Sequence, residues 1–361
     1  MSVQFIGMIG HQLSSETIAP VGPIFDKAYI TRFAQVHEAA GFDRLLVGYW
    51  SDRPDGFLVT AAAGLATTKI KFLLAHRPGF VAPTLAARKL ATLEHLLDGR
   101  LAVHIISGGN DAEQRKDGDY LNHDERYART DEFLQVVRDV WTKEQPFDHQ
   151  GAYYKAENAF SAIKPQQKPH IPVYFGGSSK AALEVAGKHA DVFALWGESL
   201  EQTRETIAAV RAEAEKHGRT IAFSVSFRPI IGDTEDAAWA KADAILENAK
   251  ARIEKAGPVL ARKPDSVGAQ RLMQTVAKGD RVDKRLWTGI AKLVGGGHNS
   301  TALVGTPEQV ADALLDYYDL GVTTFLIRGF DPLNDAEDYG RALLPLTRAK
   351  IEAREAERLR A

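Results

Sequence analysis

Eight short apolar stretches recur along the chain, and most are followed by a segment in which apolar residues have helical spacing. Strands that alternate with amphipathic helices are typical of a parallel sheet with right-handed crossovers. Eight such units favour a closed (β/α)8 barrel of the TIM type over an open sheet. The predicted strands are residues 3–9, 44–49, 70–75, 101–107, 172–175, 191–195, 221–231 and 324–327.

About 90 residues separate the seventh and eighth predicted strands, far more than an ordinary connection requires. We predict a single TIM-barrel domain over residues 1–361, with an insertion that acts as a lid between these two strands. The insertion, residues 250–305, is expected to be helical and to include a mobile loop. A smaller excursion over residues 145–167 is expected to contain a hairpin near Tyr153 and Tyr154, and residues 111–124 a polar loop.

The composition excludes several classes of function. Hydrophobic residues make up 45% of the chain and charged residues 25%, as in an ordinary soluble globular protein. The net charge of −2 argues against nucleic-acid binding. No apolar run is long enough to span a membrane and no export signal is recognisable, so we expect a cytoplasmic protein. With no cysteine in the chain, any oxidative chemistry must come from a bound cofactor.

The residues at the carboxyl ends of barrel strands are the candidates for chemistry. They are rich in imidazole, guanidinium and aromatic groups and contain no paired carboxylates, which argues against glycoside hydrolysis. No His-x-His or Glu-x-x-His spacing indicates a metal site. The set therefore predicts a cationic, aromatic-lined mouth for an anionic, planar ligand. Its members are His11, residues 50–53, His76, Arg77, His104, Ser107, residues 176–179, Trp196, Arg228, Arg328 and Phe330.

Each candidate also has a plain structural interpretation. The Gly-Gly-Ser-Ser turn at residues 176–179 could bind phosphate through glycine backbone and helix amides, or could simply cap a helix. His104 could bond a flat ring or be a satisfied core histidine, and Trp196 could be a stacking wall or a core aromatic. Burying Arg228 and Arg328 without an anion would be costly, so we predict an anionic ligand for them, with an ion pair as the alternative.

Several segments carry a resemblance to a known family. Over nearly its whole length the chain resembles the bacterial luciferase-like flavin monooxygenases, and among these the two-component, FMNH2-dependent alkanesulfonate monooxygenases. The matching segments are FLLAHRP at 72–78, PTLAAR at 83–88, DGR at 98–100, HDERY at 123–127, YFGGSS at 174–179, WGE at 196–198, DSVGAQR at 265–271 and TALVG at 301–305.

The resemblance implies FMN, used as FMNH2, at the carboxyl edge of the barrel. It also implies a mobile active-site loop in the insertion, an NAD(P)H-dependent flavin reductase as partner, and a homodimer or homotetramer. Together with their strand-end positions, the matches assign cofactor binding to His76, His104, Ser107, His123, Tyr127, Gly177, Ser178 and Ser179. Catalysis or binding of a small anionic substrate is assigned to His11, Trp196, Arg228 and Arg328, and no metal is expected.

Departures from the alkanesulfonate pattern fall in the expected pocket. Arg53 stands where the family has a cysteine, Arg228 and Ser226 replace an Arg-x-His pair, Gly295 replaces an arginine (with Lys292 and His298 nearby), and Phe330 replaces a tyrosine. The predicted reaction is O2-dependent oxidation of a small organic substrate, with desulfonation to an aldehyde and sulfite as the first candidate. Another oxygenated substrate, hydride transfer with F420 on the same barrel, and a flavin-binding barrel without desulfonation remain open.

Overall fold

A computed structural model of the chain describes residues 3–256, 266–297 and 300–360. Its strands are β1 (Gln4–Ile9), β2 (Arg44–Val47), β3 (Lys71–His76), β4 (Leu101–Ile105), β5 (Phe147–Gln150), β6 (Lys155–Ala159), β7 (Val173–Gly176), β8 (Val192–Trp196), β9 (Ala222–Phe227), β10 (Ile230–Ile231), β11 (Arg281–Val282), β12 (Leu286–Trp287), β13 (Ala302–Gly305) and β14 (Val322–Ile327). Eight of them close into a parallel barrel in the order β1-β14-β9-β8-β7-β4-β3-β2. The predicted fold is confirmed.

Helices surround the barrel and lie between successive strands. They are α1 (Lys27–Ala39), α2 (Gly56–Leu65), α3 (Pro83–Leu96), α4 (Asp111–Lys116), α5 (His123–Thr142), α6 (Lys180–His189), α7 (Leu200–Glu215), α8 (Glu235–Ala256), α9 (Val267–Ala277), α10 (Gly289–Leu293), α11 (Pro307–Asp319), α12 (Asn334–Asp338) and α13 (Leu344–Arg358). Local chemistry fixes several starts: Pro83 opens α3, and Asn122 with Glu125 forms a capping box at α5.

Alternate residues of each barrel strand point into the barrel and outward to the helices. One residue from each of five strands forms the inner layer, which comprises Ile6, Leu73, Ala102, Tyr174 and Leu326. Their strand neighbours, such as Phe72 and Val103, belong to the larger core beneath the helices. Two positions further along each strand, the inner face reaches the carboxyl edge with Met8, Ala75, His104, Gly176 and Arg328.

The seventh predicted strand is wrong in length. A continuous strand over residues 221–231 was expected, but β9 ends at Phe227 and β10 joins a different sheet with β13. Pro229 has no N–H to continue the ladder, and the N–H of Arg228 bonds instead to Thr301 O at 3.0 Å. The barrel strand and the insertion therefore separate at Arg228.

The insertion is not only helical. Residues 250–305 contain the end of α8, then α9 and α10, and also the strands β11, β12 and β13. These three strands join β10, which precedes the insertion, in a small sheet of order β10-β13-β12-β11. The connection at residues 111–124 is not only a polar loop, because α4 lies within it. The hairpin expected near Tyr153 and Tyr154 is confirmed, and both residues lie in the turn between β5 and β6. The mobility expected for the lid stays a prediction, and His298 lies outside the described residues.

Candidate active site

The strand order places the predicted site residues on two sides of the barrel mouth. β4 and β7 are neighbours and carry His104 and the turn at Gly177. β9, β14 and β1 are neighbours on the other side and end at Arg228, Arg328 and the loop containing His11. β8, with Trp196 at its end, lies between the two sides. We call these the His104 side and the arginine side.

His104 has a ring nitrogen that is free to contact a ligand. Its Nδ1 is buried and lacks a hydrogen-bond partner among the described residues. The neighbouring strand has no side chain beside this ring, because its residue there is Gly176. A Cβ added at Gly176 would lie 3.7 Å from His104 Cε1. Burial lowers the pKa of His104 to about 4, although a hydrogen bond with the Tyr174 backbone opposes the shift. The ring is therefore neutral at pH 7, with one nitrogen available to a flat ligand.

The turn after β7 forms a narrow cradle. Gly177 has φ +145, and a Cβ added there would lie 2.7 Å from Ala182 Cβ and 2.8 Å from Tyr127 Oη. Only glycine fits this position. Ser179 caps α6 by accepting a hydrogen bond from Ala182 N at 3.2 Å. The capping interpretation of the turn is thus confirmed for Ser179, while the hydroxyl of Ser178 faces the insertion.

Tyr127 and His123 approach the same turn from α5. Tyr127 shares a hydrogen bond with the Ser179 side chain, and burial raises the pKa of its phenol, which stays a neutral donor. The His123 ring is exposed, lies 4.9 Å from the Tyr127 ring, and pairs with Asp124 at 2.7 Å. The structure therefore brings Gly177, Ser179, Tyr127 and His123 together.

His76 and Ser107, which were also predicted to contact the cofactor, point away from the barrel mouth. His76 ends the outward face of β3 and lies between the rings of Phe57 and Phe133, at 5.8 and 5.5 Å. Ser107 is 4% exposed and its hydroxyl is hydrogen-bonded to Thr130 on α5 at 3.0 Å. Both face the helices, so of the three histidines that the sequence placed at strand ends (His11, His76 and His104), His76 does not point into the mouth.

The arginine side contains an internal anion that sequence reasoning missed. Glu16, in the loop after β1, pairs through Oε2 with Arg228 Nη1 and through Oε1 with Arg328 Nη2, both at 2.7 Å. Burial alone would raise the pKa of Glu16, but the two guanidiniums hold it well below its usual range. The ion pair that the sequence left as the alternative is therefore present, because a carboxylate of the chain itself lies between the two guanidiniums. Binding of an anionic ligand to the arginines stays a prediction.

Arg228 is closed off from the mouth. It is fully buried, donates to Gly329 O at 2.9 Å, and lies 3.6 Å from the centre of the Phe330 ring. Burial lowers its pKa to about 10, while Glu16 opposes the shift, so it remains charged at pH 7. Arg328 keeps 23% of its side chain exposed. Of the two arginines, Arg328 is the one that a ligand can reach.

His11 is held in one tautomer. Its Nδ1 lies 2.6 Å from Ile24 O, and since a carbonyl only accepts, Nδ1 carries the proton and Nε2 is an acceptor. Burial lowers the pKa of His11, despite this hydrogen bond. Of a proton donor and a hydrogen-bond anchor, the two roles that the resemblance leaves open for His11, the neutral ring favours the anchor. Arg53, at the position of the family cysteine, is exposed and pairs with Asp52 at 3.6 Å.

The first turn of α9 covers the mouth. A Cβ added at Gly268 would lie 3.2 Å from the Trp196 ring and 3.6 Å from Ser178 Oγ. The first turn of α9 thus meets the end of β8 and the Gly-Gly-Ser-Ser turn that follows β7. Lys292, expected near the substrate, instead pairs with Asp280 on the surface at 3.2 Å.

A buried ion pair holds α9 in this position. Arg271 Nη2 contacts Glu198 Oε2 at 2.8 Å and donates to Gln202 O at 3.0 Å. Gln202 in turn donates to Arg271 O at 3.0 Å. Both charged residues lie in segments quoted for the family resemblance, so this contact could have been suspected from the sequence. Glu16 lies in a segment without such a signal.

Comparison with known proteins identifies the family. Residues 3–324 match the family described as luciferase-like monooxygenase. The chain belongs to the luciferase-like monooxygenase family. Among solved structures, this luciferase-like protein is similar to DmoA from Hyphomicrobium sulfonivorans (25% identity, 97% of this chain and 88% of that chain, TM-score 0.75).

Two further structures share the barrel and differ in cofactor. One is a riboflavin lyase, RcaE, with modified FMN and the substrate riboflavin (21% identity, 97% of this chain and 92% of that chain, TM-score 0.77). The other is an F420-dependent secondary alcohol dehydrogenase in complex with an F420–acetone adduct (17% identity, 95% and 98% coverage, TM-score 0.68). At these identities the likeness shows the fold of the luciferase-like protein, and the cofactors are those of the two named enzymes.

The residues of the luciferase-like protein fit a phosphorylated, planar cofactor. His104 supplies an unpartnered buried nitrogen, and the Gly177 turn supplies a cradle that a Cβ would fill. In the described ranges no group of three or more side chains could hold a metal ion. None of the helices in those ranges is long and apolar enough to cross a membrane.

Proposed function

We propose that this protein is an FMNH2-dependent monooxygenase that uses O2 to oxidise a small organic substrate. The single observation that carries the proposal is the His104 side of the mouth. There a neutral imidazole with an unpartnered nitrogen lies on the strand next to a glycine cradle at a helix N-terminus. Bound FMN would supply the oxygen chemistry, which no side chain of the chain can perform.

Particular residues would hold the cofactor. Ser178, Tyr127 and the amides at the start of α6 would bind the phosphate, because a helix N-terminus favours an anion. His104 would hydrogen-bond the ring. Trp196 and the first turn of α9 would exclude water from the reaction, and Arg271 would keep that turn in place through Glu198.

The substrate would bind on the arginine side. Desulfonation of an organosulfonate to an aldehyde and sulfite is the reaction that the resemblance implies. An uncharged oxygen-containing substrate is the second candidate, and the ion pairs of Glu16 favour it. His11 Nε2, as an acceptor, would orient a hydroxyl or receive a proton. A separate NAD(P)H-dependent flavin reductase would supply FMNH2.

Anaerobic titration tests the cofactor. The purified protein is titrated with FMN, FMNH2 and reduced F420, and tryptophan fluorescence is followed because Trp196 lies at the mouth. Tightest binding is expected for FMNH2, whereas a preference for F420 would favour hydride transfer. Absence of affinity for FMN in both redox states would rule out the proposed function.

Two variants test whether the turn at Gly177 and Ser178 is the part of the protein that binds FMNH2. Ser178→Ala should weaken FMNH2 binding about 10- to 100-fold, the value of a lost hydrogen bond to a charged group. Thr306→Ala, which removes the cap of α11, is the control and should leave the affinity unchanged. Oxygen uptake with FMNH2 and a panel of sulfonates and uncharged substrates, with sulfite detection, then identifies the reaction.

A further inference from the structure

The loop that carries Glu16 is built to keep the carboxylate in place. Ser15 N donates to Ile18 O at 3.0 Å, and Ile18 N donates to Ser15 Oγ at 3.1 Å, which closes a tight turn around Glu16. Thr17 Oγ1 donates to Phe330 O at 3.3 Å, and Arg252 from the insertion donates to Ile18 O. The turn is thus bonded to the segment that follows β14 and to the insertion, and Glu16 is oriented before any ligand arrives.

On the arginine side the single carboxylate of Glu16 lies between two guanidiniums, so the three side chains together carry a net charge of +1. Arg228 is fully buried and has Glu16, Gly329 O and the Phe330 ring around its guanidinium. Arg328 is partly exposed, and its Nη1 lies 3.7 Å from Met8 Sδ, a weak acceptor. This N–H therefore remains available to a better acceptor on a ligand.

An anion at Arg328 would meet the charge of Glu16. The Glu16 carboxylate contacts the same guanidinium at 2.7 Å and is itself 28% exposed. A sulfonate that binds to Arg328 must lie within a few ångström of this carboxylate, where like charges repel strongly in a partly desolvated site. A neutral acceptor gains the hydrogen bond without that repulsion.

We propose that Glu16 determines substrate specificity by occupying the anion position of the arginine pair, so that the substrate group at Arg328 is an uncharged hydrogen-bond acceptor such as a carbonyl oxygen. This inference rests on the proposed function, because it names the class of substrate that would bind at that same site. The exclusion of small anions from Arg328 by Glu16 does not depend on flavin and can be measured on the protein alone.

Direct binding of methanesulfonate to the full chain, measured by calorimetry without turnover, tests the proposal. Glu16→Gln keeps the shape and removes the charge, so it should bind one methanesulfonate at least about tenfold more tightly than the wild type. The added anion should also raise the Tm of Glu16→Gln more than that of the wild type, because it replaces the lost countercharge. Glu247→Gln is the control: it removes the same charge from a side chain that is 70% exposed, and it should bind methanesulfonate as the wild type does.

A second variant keeps the test decisive if Glu16→Gln does not fold. The double variant Glu16→Gln with Arg228→Met retains the net charge of the cluster and frees Arg328, and it too should gain methanesulfonate binding. Equal or tighter binding to the wild type than to the variant that folds would overturn the proposal. Loss of FMN affinity would be seen in a separate titration, so failure of the proposed function is distinguishable.

Discussion

Replacement of His76 by phenylalanine separates a structural histidine from a cofactor ligand. His76 is 4% exposed, and its Nε2 lacks a hydrogen-bond partner among the described residues. Burial, with a smaller contribution from Lys89, lowers the pKa of His76 to about 4. Phenylalanine keeps an aromatic ring between Phe57 and Phe133 and cannot be protonated. The expected cost at pH 7.5 is below about 1.5 kcal/mol, as for similar core exchanges.

The effect on acid stability follows from linkage. An unfolded histidine titrates near pH 6.5, so the folded chain binds fewer protons than the unfolded chain between pH 6.5 and 4. The stability that His76 contributes is complete above pH 6.5 and is lost as the pH falls towards 4. From these two values the loss is about 2 kcal/mol at pH 5 and at most about 3.4 kcal/mol at lower pH.

Urea unfolding at pH 7.5 and pH 5 measures this difference. The decrease in unfolding free energy should be about 2 kcal/mol smaller in His76→Phe than in the wild type. His37, whose pKa burial also lowers to about 4, contributes in both proteins and cancels in the comparison. His217→Gln, at an exposed position, serves as the control. An unchanged pH dependence in His76→Phe would refute the reasoning, and a loss of FMN affinity would return His76 to the cofactor site.

Three further predictions follow from single contacts. Gly177→Ala should weaken FMNH2 binding at least about tenfold, because its Cβ would overlap Tyr127 and the backbone is strained; fluorescence titration measures this. Arg271→Met leaves the buried Glu198 without its cation, so unfolding free energy should fall by about 2–3 kcal/mol and proteolysis of the insertion should accelerate. The contacting helices α2 and α3 carry four exposed leucines (Leu58, Leu65, Leu85 and Leu96), so Leu58→Glu should weaken the expected homo-oligomer in sedimentation experiments, whereas Leu359→Glu, at an exposed leucine outside these helices, should not.

The strands and the turn after β7 could be predicted because their signals are local. Alternation of apolar runs with helical spacing indicated eight barrel strands, and the glycines and serines after β7 indicated a turn at a helix N-terminus. Phosphate binding by this turn stays a prediction. It was harder to predict whether a residue at a strand end points into the barrel or towards the helices, because a shift of one residue exchanges the inner and outer faces of a strand. His104 points inward and His76 outward, although both stand near the end of an apolar run.

The arginine side shows where sequence reasoning stops. The sequence by itself indicated that Arg228 and Arg328 belong to two adjacent barrel strands, since that depends only on strand order. The carboxylate that pairs with both of them is Glu16, which lies 312 positions from Arg328 along the chain. No periodicity connects residues so far apart; only closure of the barrel, which brings β1 beside β14, places that carboxylate between the two guanidiniums.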